Sequence, residues 1–216
     1  MLTATDLGFK AGGRVLIKGI CAVFEPGRLH LIIGPNGAGK STLVKLLARL
    51  LWPHAGSVTY GEADAKDWND RELAQRRAIL SQAIEVAFPI PVHERVMMGR
   101  YPHFRGRPRV IDDKTCSEVM HYFNVAELAE RDYSTLSGGE QQRVNFARVL
   151  AQIWQPLKGS HRYLFLDEPL TFLDLRHQID FMKKVCEFAS QPDVVAIGVV
   201  HDLNLALRFA ERVVLL

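Results

Sequence analysis

The feature that most constrains this chain is a segment of the form G-x-x-x-x-G-K-S, which lies between a short apolar run and a helical pattern. Glycines let successive backbone N–H groups turn inward around phosphate oxygens, and the following helix adds the partial positive charge of its N-terminus. In this pattern Lys40 reaches the β- and γ-phosphates, and the Ser41 hydroxyl coordinates Mg²⁺. The segment predicts a phosphate-binding loop formed by Gly34, Pro35, Asn36, Gly37, Ala38, Gly39, Lys40, Ser41 and Thr42.

Two adjacent carboxylates follow an apolar run at residues 163–166. Asp167, at the end of the predicted strand, is placed to hold Mg²⁺. Glu168 is the better candidate to polarise the water that attacks a phosphate. The pair therefore predicts the metal-holding and catalytic edge of a nucleotide site.

Single polar residues follow two further predicted strands: Gln82 comes after residues 78–81, and His201 comes after residues 194–200. In an open parallel sheet, ligands bind beyond the carboxyl ends of the strands. Gln82 can orient water or Mg²⁺, and His201 can donate a hydrogen bond to the γ-phosphate. We expect a catalytic group of Glu168, His201 and Gln82, and an Mg²⁺ site of Ser41, Gln82 and Asp167.

A second helix start carries the sequence LSGGE at residues 136–140. Ser137 and Glu140 have the spacing of a capping box. Gly138 and Gly139 leave bare backbone at the helix N-terminus, which allows an anion to approach closely. The chain therefore has two predicted phosphate-binding helix starts.

Composition excludes several other classes of protein. The 216 residues carry 27 Lys and Arg against 24 Asp and Glu, and a net charge of +3 is too weak to indicate nucleic-acid binding. Three cysteines favour a reducing compartment over a disulfide scaffold. We see no secretory signal and no apolar run long enough to span a membrane. We expect a cytosolic protein without a nucleic-acid partner, whose membrane role goes through other subunits.

Short apolar strands alternate with helices, which is typical of an α/β fold with a parallel sheet covered on both faces. Prolines become frequent after residue 85, and a helical pattern follows, which predicts an inserted helical subdomain. The predicted strands are residues 29–33, 78–81, 163–166 and 194–200, and the predicted helices are residues 41–51, 113–123, 137–154 and 177–189.

The order of these motifs resembles the ATPase subunits of ABC transporters over nearly the whole chain. The matching residues are 34–42, Gln82, 136–140, 163–167, Glu168, Leu173-Asp174 of the D-loop, and His201. The resemblance implies an ATP- and Mg²⁺-dependent P-loop NTPase with a RecA-like core at residues 1–84 and 135–216, an N-terminal antiparallel β portion and a helical subdomain at residues 85–134. It also implies a homodimer in which ATP lies between the P-loop of one cassette and Ser137, Gly138, Gly139 and Glu140 of the other, with Asp174 at the interface.

A finer resemblance lies in AFPIPVHERVMMGRYPH and RDYSTLSGGEQQRVNFARVLAQIWQP, which are similar to the ATPases of haem importers. Importers of ferric siderophores and vitamin B12 are close relatives and remain alternatives. The resemblance implies two integral membrane permease subunits, a periplasmic or surface substrate-binding protein, and a peripheral position at the cytoplasmic face of the inner membrane. Residues 88–101 are expected to dock the permease, and direct haem contact with this chain is not expected.

Some positions depart from the family pattern. Ala11 stands where an aromatic residue usually stacks on adenine, and Phe9, two residues earlier on the same strand face, is the candidate substitute. Thr171-Phe172 replaces the usual Ser-Ala before the D-loop. The chain stops at Leu216 inside an apparent strand, which fits either a truncated or a naturally short protein.

Two readings outside transport remain open. A soluble ABC ATPase of translation or DNA repair would share these motifs, but the chain lacks a second cassette and a coiled-coil insert. A small-molecule kinase would explain Lys40 and Asp167, but it leaves residues 136–140 and His201 without a role.

Overall fold

The computed structural model describes residues 1–81, 88–170 and 174–216. The N-terminal part of that chain forms an antiparallel sheet in the order β2-β1-β4-β5. A turn at Gly12 and Gly13, with φ of 55° and 76°, joins the first two strands. The strands are β1 (Leu2–Ala11), β2 (Arg14–Phe24), β4 (Ala55–Tyr60) and β5 (Ala63–Asp64).

A parallel sheet in the order β6-β7-β8-β3-β9 forms the centre of the molecule. Every residue of β7 and β8 is buried, because both faces of these strands are covered; β8 is wholly apolar, and β7 is apolar between Arg162 and Asp167 at its ends. The strands are β3 (Arg28–Ile33), β6 (Arg77–Leu80), β7 (Arg162–Asp167), β8 (Val194–Val199) and β9 (Arg212–Leu215).

Alternating side chains of the parallel sheet enter two separate cores. Leu164 and Leu166 pack with the core that contains α3 to α6, whereas Tyr163 and Phe165 pack with the core that contains α1 and the antiparallel sheet. The helices are α1 (Lys40–Leu47), α2 (Asp70–Ala74), α3 (Val92–Met97), α4 (Val110–Tyr122), α5 (Gly138–Ile153), α6 (Leu175–Ala189) and α7 (Leu203–Phe209), with 3-10 turns at Met98–His103, Ala126–Leu128 and Tyr133–Thr135. The predicted α/β class is confirmed.

The helix predicted at residues 41–51 ends earlier, at Leu47. Arg49 adopts φ of 52°, and the N–H of Leu50 donates to the carbonyl of Lys45 at 2.8 Å, which closes the helix end. The guanidinium of Arg49 donates to the carbonyl oxygens of Ala65 at 2.9 Å and Trp68 at 2.6 Å and pairs with Asp70. These contacts hold an arginine in a conformation that usually favours glycine.

The carboxyl ends of the three central strands lie side by side, because β7, β8 and β3 are neighbours in the sheet. Asp167 pairs in register with Val199 of β8, two residues before His201. Gly34 directly follows β3. The topology therefore gathers three of the predicted site segments at one edge.

Candidate nucleotide-binding site at the strand ends

The loop between β3 and α1 has the backbone geometry of a phosphate cradle. Gly37 and Gly39 have φ of 82° and 95°, in the left-handed region that favours glycine. A Cβ atom on Gly39 would lie 2.8 Å from the carbonyl oxygen of Leu16 on β2. Because β2 approaches so closely, no larger residue fits at Gly39, which caps the N-terminus of α1.

Lys40 is folded back onto this loop. Its side chain is 5% exposed, and its Nζ donates to the carbonyl oxygens of Gly34 at 2.9 Å and Pro35 at 3.0 Å. Both acceptors are neutral carbonyl oxygens. Phosphate oxygens would give it charged partners instead.

Asp167 ends β7 as a largely buried carboxylate that is 9% exposed. Its Oδ1 atom is buried and has no hydrogen-bond partner among the described residues. A buried carboxylate oxygen without a donor is suited to a hard cation, since oxygen ligands are those that Mg²⁺ prefers. The chemistry of this carboxylate, together with the hydroxyl of Ser41 in the adjoining phosphate loop, fits an Mg²⁺ ion.

Glu168 and His201 are in direct contact, with Oε1 of Glu168 2.8 Å from Nε2 of His201. Both line a cavity of about 540 Å³ together with the loop, and the remaining lining residues are Leu16, Asn36, Gly37, Gly39, Lys40, Ser41 and Thr42. Glu168 has φ of 54°, an unusual conformation for a residue with a side chain. The strand-end chemistry predicted from the sequence therefore faces the phosphate cradle across one cavity.

Other predicted residues lie elsewhere. Phe9 packs edge-on against His54 at a centroid distance of 5.1 Å, and Ala11 is exposed at the end of β1. Neither is among the described residues that line the cavity, whereas Leu16 is. Gln82, expected for catalysis and for Mg²⁺, lies outside the described residues, as do Thr171, Phe172 and Leu173.

Leu16 is the site residue that the sequence analysis missed. Its neighbour Ile17 is buried in the core, so strand alternation alone places Leu16 on the other face of β2. That this face meets the loop depends on the close approach to Gly39, which no local pattern encodes.

The N-terminus of α5 has the predicted capping box. The backbone N–H of Ser137 donates to the Glu140 carboxylate at 2.8 Å, and its hydroxyl donates to the same oxygen at 2.7 Å. These hydrogen bonds, from the hydroxyl first and then from the backbone, lower the pKa of Glu140. A Cβ on Gly138 would meet nothing within 4 Å, so the face beside it is open.

None of Ser137, Gly138, Gly139 and Glu140 is among the described residues that line the Lys40 cavity. Gly139 lines a separate groove between α5 and α6. Asp174 caps α6, where it accepts from the His177 N–H at 2.9 Å and contacts Nδ1 of His177 at 2.8 Å. Within the described chain, the two predicted phosphate-binding helix starts are thus separate surfaces.

A parallel sheet with a glycine-rich loop, a lysine and a carboxylate at its strand ends defines a P-loop nucleotide-binding protein. A family model described as ABC transporter matches residues 17–171. The chain belongs to the ABC transporter family and is one of its ATPase cassettes. Members of this family act as paired cassettes with membrane permease subunits.

Several curated relatives match the whole chain. A hemin import ATP-binding protein of Gloeobacter violaceus is 47% identical over 100% of this chain and 78% of its own length. The corresponding protein of Methylobacillus flagellatus is 41% identical over 100% of this chain and 80% of its own length.

Solved structures show the same fold. A dimeric bacterial ABC transporter cassette has a TM-score of 0.82 at 25% identity, covering 100% of this chain and 94% of its own. A nucleotide-free ATP-binding cassette has a TM-score of 0.85 at 19% identity, covering 100% of this chain and 87% of its own. In the described part of this chain, no helix is both long and apolar enough to cross a bilayer.

Proposed function

We propose that this chain binds and hydrolyses MgATP in a two-cassette dimer and thereby drives haem import through integral membrane permease subunits. The observation that supports hydrolysis is the Glu168–His201 pair, which faces Lys40 and Ser41 across one cavity. The assignment of haem as the substrate is supported by similarity, over the whole of this chain, to hemin import ATP-binding proteins that are 39–47% identical.

Each residue of the site has a separate task in this proposal. Residues 34–42 bind the phosphates through backbone N–H groups, and Lys40 exchanges its carbonyl contacts for phosphate oxygens. Ser41, Asp167 and Gln82 would hold Mg²⁺, which supplies charge neutralisation of the phosphates when it is bound. Glu168 accepts the proton of the attacking water, and His201 holds Glu168 in place and donates to the γ-phosphate.

The dimer supplies the other half of each site. Ser137, Gly138, Gly139 and Glu140 contact the nucleotide bound to the partner cassette, and Asp174 lies at the same interface. Two-fold symmetry makes both sites from one self-complementary surface. The open face beside Gly138 supports this arrangement, because it leaves space for an anion.

The domain division that we propose is a nucleotide-binding core at residues 1–84 and 135–216 with a helical subdomain at residues 85–134. In the working transporter, the cassettes lie at the cytoplasmic face of the inner membrane. A periplasmic or surface substrate-binding protein delivers haem to two permease subunits.

Reconstitution in proteoliposomes tests the function. The chain is co-purified with its membrane subunit, and ATP-driven uptake is measured with haem, a ferric hydroxamate siderophore and cobalamin in parallel. We expect uptake of haem that disappears in the Lys40→Ala variant. Uptake of the siderophore or of cobalamin alone would overturn the assignment of haem as the substrate. Full ATPase activity in a host whose membranes contain no partner subunit would overturn the transport role.

A further inference from the structure

Two arginine side chains between α3 and α5 are buried or partly buried, and no carboxylate of the described residues pairs with them. Arg95 on α3 is 7% exposed, and Arg148 on α5 is partly buried. The Nε atom of each is buried and makes no hydrogen bond. In the described ranges, neither arginine has an acidic oxygen within ion-pair distance.

Neutral groups hold Arg95 in place. Its Nη2 donates to Oδ1 of Asn145 at 3.3 Å, and its Cζ lies 5.3 Å from the centre of the Tyr133 ring. The amide of Asn145 also donates to the Tyr133 hydroxyl at 2.8 Å. The Arg95 guanidinium is therefore oriented, but its charge is not neutralised.

Arg148 has even less support. Burial is the larger cause that lowers the pKa of the Arg148 guanidinium, and the positive charge of Arg95 lowers this pKa further. Two like charges that repel each other in a partly desolvated place are unfavourable unless an anion joins them.

Two fully buried guanidinium groups in this chain are paired with carboxylates. Arg100, 3% exposed, lies 3.0 Å from the Asp112 carboxylate, and Arg162, 1% exposed, lies 2.7 Å from Asp193. Arg95 and Arg148 differ from these two residues, because no carboxylate of the described residues pairs with them.

We infer that Arg95 and Arg148 together bind a carboxylate side chain of the membrane permease subunit. A carboxylate fits because guanidinium groups match its planar, two-oxygen geometry and bind it strongly when water is excluded. The inference rests on the proposed function, which supplies the permease as the partner. Phe88, four residues before the start of α3, is 59% exposed and adds apolar surface beside this segment.

The stability of the isolated cassette is the first test. Replacing an unpaired buried cation with an apolar side chain removes a cost, so Arg148→Met should raise Tm by about 3 °C. The matched control is Arg100→Met, which leaves Asp112 buried without its partner and should lower Tm. A fall in Tm for Arg148→Met as large as that for Arg100→Met would overturn the inference, since it would place the carboxylate within this chain.

Assembly with the permease is the second test. Arg148→Met and Arg95→Met should reduce co-purification of the membrane subunit at least tenfold, while basal ATPase of the isolated cassette stays within twofold of wild type. Arg107→Met, at an exposed position, is the control and should assemble normally. Exchange of one permease Asp or Glu for Lys should restore assembly with Arg148→Glu, which identifies the carboxylate.

The outcomes separate this inference from the proposed function. Normal co-purification of both variants would overturn the carboxylate site but leave the transporter role intact, whereas failure of the wild-type chain to assemble would count against the transporter role itself. Loss of binding to phosphatidylglycerol vesicles, with permease assembly unchanged, would overturn the inference in favour of an anionic lipid.

Discussion

At the scale of single residues, Glu168 has a strained backbone conformation and is also the proposed proton acceptor. Its φ of 54° places the carboxylate beside His201 at 2.8 Å. A left-handed conformation costs a residue with a Cβ about 1 kcal/mol. The chain tolerates this cost at the position where the proposed proton acceptor must face the cavity.

The first prediction concerns hydrolysis. Glu168→Gln keeps the side-chain shape but removes the proton acceptor, so ATPase activity should fall at least about a hundredfold while ATP binding is retained. Equilibrium binding and phosphate release measure the two quantities, and gel filtration should show a dimer that persists with ATP. Hydrolysis near the wild-type rate would mean that another group accepts the proton.

The second prediction separates the strain from the chemistry. Glu168→Gly relieves the left-handed conformation and should raise stability by about 1 kcal/mol, whereas Glu168→Ala loses the same carboxylate and retains the strain. Urea unfolding of both variants provides the comparison. Equal stability of Gly and Ala at this position would show that the backbone there is unstrained.

Leu16 carries the third prediction. It is the apolar side chain among the described residues that line the P-loop cavity, so we expect it to contact the nucleobase. Leu16→Ala should weaken ATP binding several-fold and leave binding of inorganic triphosphate unchanged, as measured by calorimetry. Val15→Ala, at a neighbouring position that is 54% exposed, is the control. If Phe9→Ala and not Leu16→Ala shifts the ratio of ATP to GTP affinity, the base lies against Phe9.

At the scale of elements, Ser137 at the N-terminus of α5 has two roles, one in capping the helix and one in the proposed nucleotide contact. The Ser137 hydroxyl takes part in the capping box, and the same group faces the surface proposed for the partner's nucleotide. A substitution that still caps the helix but prevents the contact with the partner's nucleotide can separate the two roles.

Ser137→Asp is that substitution and gives the fourth prediction. Aspartate can still cap the helix by accepting from the Glu140 N–H, but it loses the hydrogen bond to the Glu140 carboxylate at 2.7 Å and repels it, so the unfolding free energy should fall by about 1 kcal/mol without loss of the fold. Its negative charge should repel the phosphates of the partner's ATP and prevent ATP-dependent dimerisation, while the monomer binds nucleotide normally. Light scattering with ATP measures the dimer, and loss of nucleotide binding by the monomer would contradict a site completed across the interface.

The helices and strands also show where sequence patterns stop being informative. The order of short apolar runs and helical repeats sufficed to predict the parallel sheet, and the glycine motif sufficed to predict its cradle. The end of α1 was wrong by several residues, because Arg49 closes it through carbonyl oxygens of Ala65 and Trp68 that are distant in sequence. Leu16 was missed for the same reason, since tertiary contact and not local pattern brings β2 onto the loop.

At the scale of the whole molecule, buried ion pairs connect distant elements. Asp112 on α4 pairs with Arg100 and also accepts from the backbone N–H of Arg109 at 3.0 Å. Burial by itself would raise the pKa of Asp112, but these hydrogen bonds outweigh it, so the pKa lies below its ordinary value.

The fifth prediction follows from the sign of that shift. A carboxyl whose pKa is depressed by folding stabilises the protein above its unfolded pKa of about 4, and this contribution is lost as the pH falls through the folded value. The Tm of wild type should therefore exceed that of Asp112→Asn at pH 7, and the difference should shrink below about pH 4. A constant difference between pH 7 and pH 3 would show that the charge of Asp112 contributes nothing.

The position of β3 in the sheet has a consequence for synthesis on the ribosome. This strand, which delivers the phosphate cradle, pairs with β8 through Arg28 and Val195 and with β9 through Ile33 and Leu215. Both neighbours are translated long after β3 has left the exit tunnel. A nascent chain therefore holds its cradle strand unpaired until residues 194–215 have emerged, and nucleotide can assist folding of the cradle only after that point.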